Sequence, residues 1–354
     1  MSMLESGYRV DLSGSMDQGV FKHGPFRVWP SDDLSARSLV LNATAAFEGS
    51  DGPPRVIALT DALRLGRHDM SDIEVAWWLP FNFDPVPDQV IDALACGVDH
   101  VLALSKWAQD ALARRDVESR YMPHGVDATV FTPADAATKV QARERLGLPA
   151  DSFVVGMVAA NNEWITSRKS FPEAFCAFAE LRSVHSDALL YVHSSLDGHP
   201  GDGMNLVRLA ESAGIPSGAI AMTNPARYRL GFDSEQLVAL YRSFDVLLAP
   251  SAGEGFGVPV IEAQACGVPV IVSDFSAQPE LVGDGWIVGG QRRWIPPVGS
   301  WQFTPDVNEI GAALLEAYKR PAPPSQLAVD FALRFDHSEL YDELWRPFLA
   351  DWLA

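Results

Sequence analysis

Two glutamates beside a glycine-rich turn are the residues of this sequence with the clearest potential for chemistry. Glu254 and Glu262 stand eight positions apart in the stretch Ser251-Ala-Gly-Glu-Gly-Phe-Gly-Val-Pro-Val-Ile-Glu262. The apolar run from Asp245 to Pro250 predicts a buried strand, and Pro259 followed by apolar residues predicts a helix. We therefore expect Glu254 on the turn and Glu262 inside the helix.

The turn after this predicted strand has the features of an anion site. A turn between a strand end and a helix start directs unpaired backbone N–H groups and the positive end of the helix dipole towards one point. Gly255 and Gly257 allow a ligand to approach more closely than a side chain would. The amides of these glycines and of Phe256 are expected to face a phosphate.

Length and composition indicate a globular protein with two domains. The chain has 354 residues, 47% of them hydrophobic, which is long for a single core. The longest apolar runs, such as Phe153 to Ala160, are much shorter than the ~20 residues of a membrane span. A basic segment followed by an apolar one is absent from the N-terminus, and the three cysteines lie far apart in sequence. These features predict a cytoplasmic protein without disulfides.

The net charge of −19 opposes strong non-specific binding to nucleic acids or anionic membranes, because such binding depends on attraction to phosphate. Two local basic clusters exist, and we interpret each as a solvated surface in preference to a binding patch: Arg114, Arg115 and Arg120, then Arg292 and Arg293 beside Trp294. The sequence has no Asp-x-Asp tripeptide and no His/Cys cluster at ligand spacing. It therefore predicts no metal and no cofactor.

Strand-like and helix-like segments alternate along the chain, the pattern of parallel α/β layers. The predicted strands are 55–60, 73–79, 100–105, 153–159, 188–193, 219–222, 246–250 and 269–273. The predicted helices are 87–96, 106–114, 171–184, 204–213, 234–244, 258–266 and 307–319. The polar stretch 134–145 is interpreted as the exit from the first domain.

Three regions are predicted from this alternation: an N-terminal α/β domain at residues 1–147, a second α/β domain at 148–325 and a C-terminal helical segment at 326–354. Two facing α/β domains form a cleft between the carboxyl ends of their strands, where ligands of open parallel sheets bind. The glycine-rich turn lies at one such strand end.

Four motifs together resemble the retaining glycosyltransferase family 4, which has the GT-B fold. Glu254-Gly-Phe-Gly-Val-Pro-Val-Ile-Glu262 is similar to its glutamate-x7-glutamate signature. Ser167-Arg-Lys-Ser170 resembles its basic diphosphate element, Met122-Pro-His-Gly-Val-Asp127 its interdomain turn, and Gln278-Pro-Glu280 its next helix start. The combination, spread over roughly residues 73–320, is far more specific than any single motif.

The resemblance implies two Rossmann-like domains that face an interdomain cleft, with the C-terminal helix returning to the first domain. Residues 1–147 would form the acceptor-side domain and residues 148–325 the nucleotide-sugar-binding domain. It also implies roles for four side chains. Arg168 and Lys169 would hold the donor diphosphate, whose charge grows as the glycosidic bond breaks. Glu262 would accept hydrogen bonds from the ribose hydroxyls and Glu254 from those of the transferred sugar.

Several positions depart from the family pattern. In many members a Gly-Arg pair holds the diphosphate, but Asn161 and Asn162 stand there in this sequence. We therefore expect that this phosphate contact is either missing or replaced by an asparagine amide. Two glycines before the proline of the next helix are Ser276 and Ala277 here. The usual histidine of the first domain is not evident, and the candidates for the sugar side are Asn82, Asp84 and His124. His124 fits a structural role in its turn equally well.

Contacts to the nucleotide base are the least defined part of the predicted site. Asn224 and Tyr228 follow a predicted strand of the second domain and are candidates for base contacts. The simpler interpretation is that Asn224 is a turn residue and that Tyr228 is a half-buried aromatic residue. His193 ends another strand and could approach the nucleotide.

The sequence thus predicts a retaining hexosyltransferase that uses a UDP- or GDP-sugar and displaces the diphosphate from the front face without a metal. Two alternatives stay open. One is an epimerase or phosphorylase on the same fold, and the other is a protein that binds nucleotide sugars or glycans without turnover. The acceptor could be a saccharide, protein, metabolite, lipid or hydroxylated nucleobase, and the oligomeric state is not predicted.

Overall fold

The structure is a computed structural model that describes residues 4–5, 21–23, 26–28, 36–48, 52–61, 68–161, 167–197, 203–320 and 323–354. The chain divides into two compact units. One extends to Met122 and includes Ile295–Ser300, and the other contains Pro123–Trp294 and Trp301–Ala354. Each unit is built around a parallel sheet, so the predicted α/β class with two parallel-sheet domains is confirmed.

The first unit contains a four-stranded parallel sheet whose strand order follows the sequence: Arg55–Leu59, Glu74–Leu79, His100–Ala103 and Arg120–Tyr121. The helices within its described residues are Ala36–Ala46, Asp88–Leu94 and Lys106–Ala113. Short strands at Leu4–Glu5, Phe21–His23 and Phe26–Val28 form a separate small sheet. The three predicted strands and two predicted helices of this region are confirmed. Trp77 and Leu79 are fully buried in its core, because both faces of a parallel sheet are covered.

The second unit contains a six-stranded parallel sheet. In spatial order its strands are Ile220–Met222, Ala188–His193, Phe153–Val158, Val246–Ala249, Val270–Ser273 and Gly285–Val288. After Phe153–Val158, the next two strands along the chain are added on one side of it. The last three strands are added on its other side, beginning with Val246–Ala249. The sheet therefore reverses its winding between these two strands, and ligands of open α/β sheets bind at the carboxyl ends of such a pair.

Helices cover both faces of this sheet. They are Ala136–Leu146, Phe171–Val184, Leu206–Ser212, Pro225–Leu230, Ser234–Arg242, Val258–Ala265 and Val307–Lys319, and the C-terminal helices are Gln326–Ala332, His337–Leu340 and Arg346–Trp352. Phe171, Phe175 and Phe178 pack one helix into the core, as expected for apolar residues three or four positions apart. Among the described residues, no helix has the length and apolarity needed to cross a bilayer.

The polar stretch 134–145, interpreted from sequence as an exit from the first domain, is a helix of the second unit. Asp135 caps its N-terminus, and Gly147 ends it in the left-handed conformation. Lys139 and Arg143 both form ion pairs with Asp245, which directly precedes a strand of the sheet. These contacts attach the helix to the second sheet. The division after Met122 consequently lies before the predicted boundary at 147/148.

The C-terminal helical segment groups with the second unit. The Val126 N–H donates to Phe335 O at 2.8 Å, and the His337 N–H donates to Val126 O at 3.0 Å. A Cβ on Gly125 would lie 2.7 Å from the His337 Cα, so only glycine fits this close approach. A return of this segment to the first domain stays a prediction.

One hairpin was not predicted from the sequence. Strands Gly290–Ile295 and Ser300–Pro305 form a separate two-stranded sheet after the last strand of the second unit. The residues that connect them, with the adjoining strand ends, belong to the first unit. The arginines in this strand broke the apolar pattern that marks the other strands, so periodicity did not reveal it.

Candidate functional site

The glycine-rich turn lies where the sequence predicts it. Strand Val246–Ala249 ends just before it, and helix Val258–Ala265 begins just after it. Gly257 occupies the N-cap position with φ 129°, a backbone conformation that side-chain-bearing residues rarely adopt. The first amides of the helix therefore face the carboxyl end of the sheet, where they can receive an anion.

Glu254 is the centre of a charged cluster at this end of the sheet. Its carboxylate forms ion pairs with Lys169 and with Arg168, whose Nη1 lies 2.8 Å from Oε2. The Ser251 hydroxyl donates to the same carboxylate at 2.7 Å. Burial alone would raise the pKa of Glu254, but the charges of Lys169 and Arg168 outweigh burial and lower it to about 2. Glu254 is therefore ionised throughout the physiological range.

Two loops are joined to bring this cluster together. The Ala252 N–H donates to Arg168 O at 2.6 Å, linking the loop after one strand to the loop before helix Phe171–Val184. Ser170 caps that helix in the left-handed conformation, at φ 49°, which turns the preceding cations towards the turn. From sequence, the cations were assigned to the diphosphate and Glu254 to the sugar; the direct ion pair between them was not foreseen.

These side chains share one small pocket. Lys169, Ser251, Glu254 and Gly257 line it, together with residues 157–159 at the end of the neighbouring strand. The pocket thus lies at the carboxyl ends of the two strands between which the winding reverses. Lysine, arginine and helix-start amides at such a point can hold a diphosphate, and a carboxylate beside them can accept hydrogen bonds from hydroxyls.

Glu262 lies inside helix Val258–Ala265, as predicted, and has a partner that sequence analysis missed. The hydroxyl of Tyr241 donates to Glu262 Oε2 at 2.6 Å, and Tyr241 is fully buried. Burial raises the pKa of Glu262, and the hydrogen bond from Tyr241 opposes that rise. The phenol fixes one carboxylate oxygen. The spacing of Tyr241 from the motif carries no signal of this contact.

Ser276 and Gln278 hold the turn in place, and neither function was predicted. Ser276 has φ 56°, which explains why glycine suits this position in the family that the sequence resembles. Its hydroxyl accepts a hydrogen bond from the Glu254 N–H at 2.8 Å, which glycine could not do. The Gln278 amide, fully buried, donates to Ser251 O at 2.9 Å and accepts from the Ser251 N–H at 3.1 Å.

Asn161 does not present its amide to the pocket. Its Nδ2 donates to Ser195 O at 2.9 Å and to Met204 O at 2.7 Å, and its Oδ1 accepts from the Met204 N–H at 2.9 Å. The side chain is buried and fastens two loops of the second unit. Replacement of a phosphate contact by this amide, as expected from sequence, therefore has no support in the geometry; residue 162 lies outside the described residues.

The candidates for base contacts separate into two kinds. The Asn224 side chain caps helix Pro225–Leu230, accepting from the Ala226 N–H at 2.9 Å, so it is a turn residue. Tyr228 lies edge-on to His193, with ring centroids 5.3 Å apart. Burial lowers the pKa of His193 to about 4, so this ring is neutral at pH 7. The His193–Tyr228 pair lies at the carboxyl end of strand Ala188–His193.

The sugar-side candidates are divided between the units. Asn82 and Asp84 follow strand Glu74–Leu79 of the first unit, and Asp84 Oδ1 pairs with Arg114 at 2.9 Å. His124 belongs to the second unit, and its ring lies 5.5 Å from that of Phe256 in the glycine-rich turn. Burial lowers the pKa of His124 to about 4. The structure therefore places His124 beside the turn, while a role for Asn82 or Asp84 stays a prediction.

Within the described ranges, no three or more His, Cys, Asp or Glu side chains are grouped in a way that could hold a metal ion.

The chain is similar to known glycosyltransferases. Residues 227–310, which include both glutamates, match the family model described as Glycosyl transferases group 1. The chain is 31% identical over 224 residues to a D-inositol 3-phosphate glycosyltransferase of Mycolicibacterium smegmatis. That alignment covers 62% of this chain and 44% of the relative, so the chain spans less than half the length of the curated protein it matches.

Solved structures show the same fold. Sucrose-phosphate synthase from Thermosynechococcus elongatus superposes with a TM-score of 0.69 at 18% identity, covering 95% of this chain and 87% of that one. Anabaena HepE in complex with UDP and glucose gives a TM-score of 0.61 at 17% identity, covering 91% and 77%. Residues 227–310 are therefore similar to glycosyl transferases group 1, and the chain has the GT-B fold that the sequence predicts.

Proposed function

We propose that this protein is a retaining glycosyltransferase of family 4 that moves a hexose-type sugar from a nucleoside-diphosphate sugar to an acceptor hydroxyl. The single observation that carries the proposal is the cluster of Lys169, Arg168 and Glu254 beside the helix start at Gly257. Two cations, the amides at the helix start and a carboxylate meet at the carboxyl end of the sheet. The cations and amides can bind the diphosphate of a nucleotide sugar, and the carboxylate can bind the hydroxyls of its sugar.

The ion pairs of this cluster would be rearranged when the donor binds. Without a diphosphate, Glu254 is the counter-ion of Lys169 and Arg168. A bound diphosphate competes for the same cations, and Glu254 is then released to accept hydrogen bonds from the transferred sugar. The Ser251 and Ser276 hydroxyls, which contact Glu254 directly, keep its loop in place during this exchange.

The second glutamate supports recognition of the nucleotide. Glu262 has one carboxylate oxygen fixed by Tyr241, which leaves the other free to turn towards vicinal hydroxyls such as those of a ribose. We propose a UDP-sugar in preference to a GDP-sugar as donor, supported by Anabaena HepE, a structure with the same fold that binds UDP and glucose.

The reaction follows from the residues that are present. A double displacement normally places two carboxylates on either side of the scissile bond, but Glu254 and Glu262 are assigned to two different sugars of the donor. We propose that the acceptor attacks from the face that the diphosphate leaves, and that the departing phosphate takes the acceptor proton. Lys169, Arg168 and the amides at the helix start stabilise the growing charge, and a metal is not required. The acceptor and the cytoplasmic location remain predictions.

Calorimetric titration with UDP-, GDP- and ADP-sugars tests the proposal, with and without EDTA. We expect wild type to bind a UDP-sugar in both conditions and Lys169→Ala to weaken that binding about tenfold or more, because a charge-assisted contact to the diphosphate is lost. Lys319→Ala, an exposed lysine of the same unit, is the matched control and should bind as wild type does.

Two results would contradict the proposal. If no nucleotide sugar binds, the proposed class of donor is wrong. If Lys169→Ala binds the donor as tightly as wild type does, the proposed binding site is wrong. NMR of the products separates the alternatives: an altered sugar nucleotide without acceptor indicates epimerisation, and binding without any turnover in a panel of acceptors indicates a binding protein.

A further inference from the structure

Tyr241 is a buried side chain whose polar atom points at the second glutamate of the motif. It lies next to the end of helix Ser234–Arg242 and is fully buried. Its hydroxyl donates to Glu262 Oε2 at 2.6 Å, the length of a bond from a hydroxyl to a charged oxygen. A buried phenol without an acceptor costs free energy, so the tyrosine favours the arrangement in which Glu262 receives its proton.

Two aromatic rings fix the position of Tyr241. Phe131 and Phe244 both lie with their ring centroids 6.2 Å from that of Tyr241, at interplanar angles of 57° and 86°. Phe244 in turn packs directly on strand Phe153–Val158, because a Cβ on Gly156 would lie 2.1 Å from the Phe244 ring. Close packing of this kind leaves little room for a ring to move. The hydroxyl of Tyr241 is therefore presented to Glu262 at a fixed point.

Glu262 lies on the side of its helix that leads to the pocket. Pro259 and Val260 line the pocket, and residues three positions apart, such as Pro259 and Glu262, are neighbours on one face of a helix. The phenol engages one carboxylate oxygen and leaves the other to accept hydrogen bonds from a ligand. The position of Tyr241 thus determines the direction in which this second oxygen points.

The phenol also favours the charged form of Glu262. At Glu254, burial is outweighed by the charges of Lys169 and Arg168, which lower its pKa to about 2. At Glu262, burial raises the pKa, and the hydrogen bond from Tyr241 opposes that rise. Within the described part of the chain, no lysine or arginine contributes to the balance at Glu262. The charge of this carboxylate consequently depends on the tyrosine.

The other ionisable groups around Glu262 do not replace the phenol. Burial raises the pKa of Cys266 to about 12 and that of Tyr241 well above 10, so both are uncharged at pH 7. Arg242 acts on Cys266, and its guanidinium donates to a backbone carbonyl at 2.8 Å. The C-terminal helix packed against the Glu262 helix carries Asp330, which is exposed and accepts from its own helix. The adjacent strands of the sheet have no ionisable side chain.

We propose that Tyr241 is a positioning residue through which Glu262 selects a ribose over a 2′-deoxyribose in the donor nucleotide. This inference rests on the proposed function. A charged carboxylate held in one orientation accepts strongly from the 2′-hydroxyl. A carboxyl group that turns freely and takes up a proton more readily loses part of that preference, because the bond to the hydroxyl is weaker and less well oriented.

Calorimetric titration of the full chain with UDP and with 2′-deoxy-UDP at about pH 7 tests the inference. We expect wild type to bind UDP about tenfold more tightly, the value of one charge-assisted hydrogen bond. Tyr241→Phe, which removes only the hydroxyl, should reduce this preference to about twofold. Glu262→Ala should abolish the preference, and Tyr241→Phe should then have no further effect on it, because the two residues act through one contact.

Tyr318→Phe is the matched control. The Tyr318 hydroxyl also donates to a carboxylate, that of Asp187 at 3.1 Å, but Asp187 directly precedes strand Ala188–His193 and so lies at the amino end of the sheet. This variant loses the same kind of bond away from the pocket. It should keep the wild-type preference for UDP.

The pH dependence of the preference separates positioning from packing. In wild type the preference for UDP should fall at low pH, as Glu262 takes up a proton. In Tyr241→Phe this fall should begin at a higher pH, because the hydrogen bond that opposes the effect of burial is gone. The two ligands share the same diphosphate, so its own protonation cancels in the ratio of affinities. A loss of packing alone would weaken both ligands equally and would leave the profile of the ratio unchanged.

The inference is overturned if wild type binds both nucleotides equally, if Tyr241→Phe keeps the tenfold preference, or if the two proteins have the same pH profile. If Tyr241→Phe does not fold, Glu262→Ala and the wild-type profile decide, and a preference that survives the alanine or is independent of pH overturns it. Normal UDP binding with an unchanged preference rejects the role of Tyr241 alone, whereas absence of UDP binding in wild type rejects the donor site.

Discussion

Strand Val246–Ala249 carries a cluster of one carboxylate, one lysine and one arginine at each of its ends. Asp245 directly precedes the strand and pairs with Lys139 and Arg143. Glu254, on the turn after the strand, pairs with Lys169 and Arg168. The two clusters have the same chemical composition, but one holds a helix to the sheet and the other lines the pocket of the proposed site.

The clusters differ in how far their arginines are exposed to solvent. Arg143 is 6% exposed and also donates to two backbone carbonyls, those of Ser243 and Ala150. Asp245 accepts a further bond from the Val154 N–H at 2.6 Å. Arg168, by contrast, is 22% exposed and lies at the carboxyl end of the sheet. A cluster closed off from solvent gives rigidity, whereas one that lines a pocket can exchange its counter-ion for a ligand.

The largest effect is expected from Asp245→Asn. Removal of this charge leaves buried Arg143 and largely buried Lys139 without their carboxylate, which should lower the free energy of unfolding by about 3–5 kcal/mol. UDP affinity of the folded protein should stay unchanged, because the cluster is at the opposite end of the strand from the pocket. Urea denaturation and calorimetry measure the two quantities, with the exposed Asp151→Asn as control. A large loss of UDP affinity in folded Asp245→Asn would break the comparison.

Glu254→Gln should have its main effect on the reaction. Loss of a hydroxyl-binding charge that acts on the transferred sugar should lower the rate of sugar release from UDP-sugar by about 10²–10³-fold. Affinity for UDP, which has no sugar to contact, should be equal or higher, because Lys169 and Arg168 lose their competing counter-ion. Steady-state kinetics and UDP titration test this. Weaker UDP binding with an unchanged rate would make Glu254 a structural counter-ion like Asp245.

The pH dependence of stability should show a smaller effect of the same carboxylate. The pKa of Glu254 falls from 4.5 to about 2 on folding, so the stabilisation is present above pH 4.5 and is lost as the pH falls towards 2. Glu254→Gln should remove this part of the acid sensitivity. Urea midpoints measured across that range test it, with the exposed Glu118→Gln as control. An identical acid profile for Glu254→Gln and wild type would contradict the assignment.

Much of the fold could be predicted because its signal is local. The apolar run before Pro250 and the proline-initiated helix after it define a strand–turn–helix unit by themselves, and Glu254 and Glu262 fall within it. The hairpin around Trp294 escaped prediction because arginines interrupt its pattern. Helix Ala136–Leu146 escaped because it is polar and depends on distant Asp245 for attachment.

The sequence by itself determined the α/β alternation, the position of both glutamates and the identity of the two cations, since each depends on residue type and short-range spacing. Tertiary structure decided which groups meet. Arg168 and Lys169 pair with Glu254, and Tyr241 donates a hydrogen bond to Glu262. The Asn161 amide donates to backbone carbonyls and does not face the pocket. Those contacts join residues that are from 21 to 86 positions apart. No local pattern encodes them, because the parallel crossovers of the sheet bring the partners together.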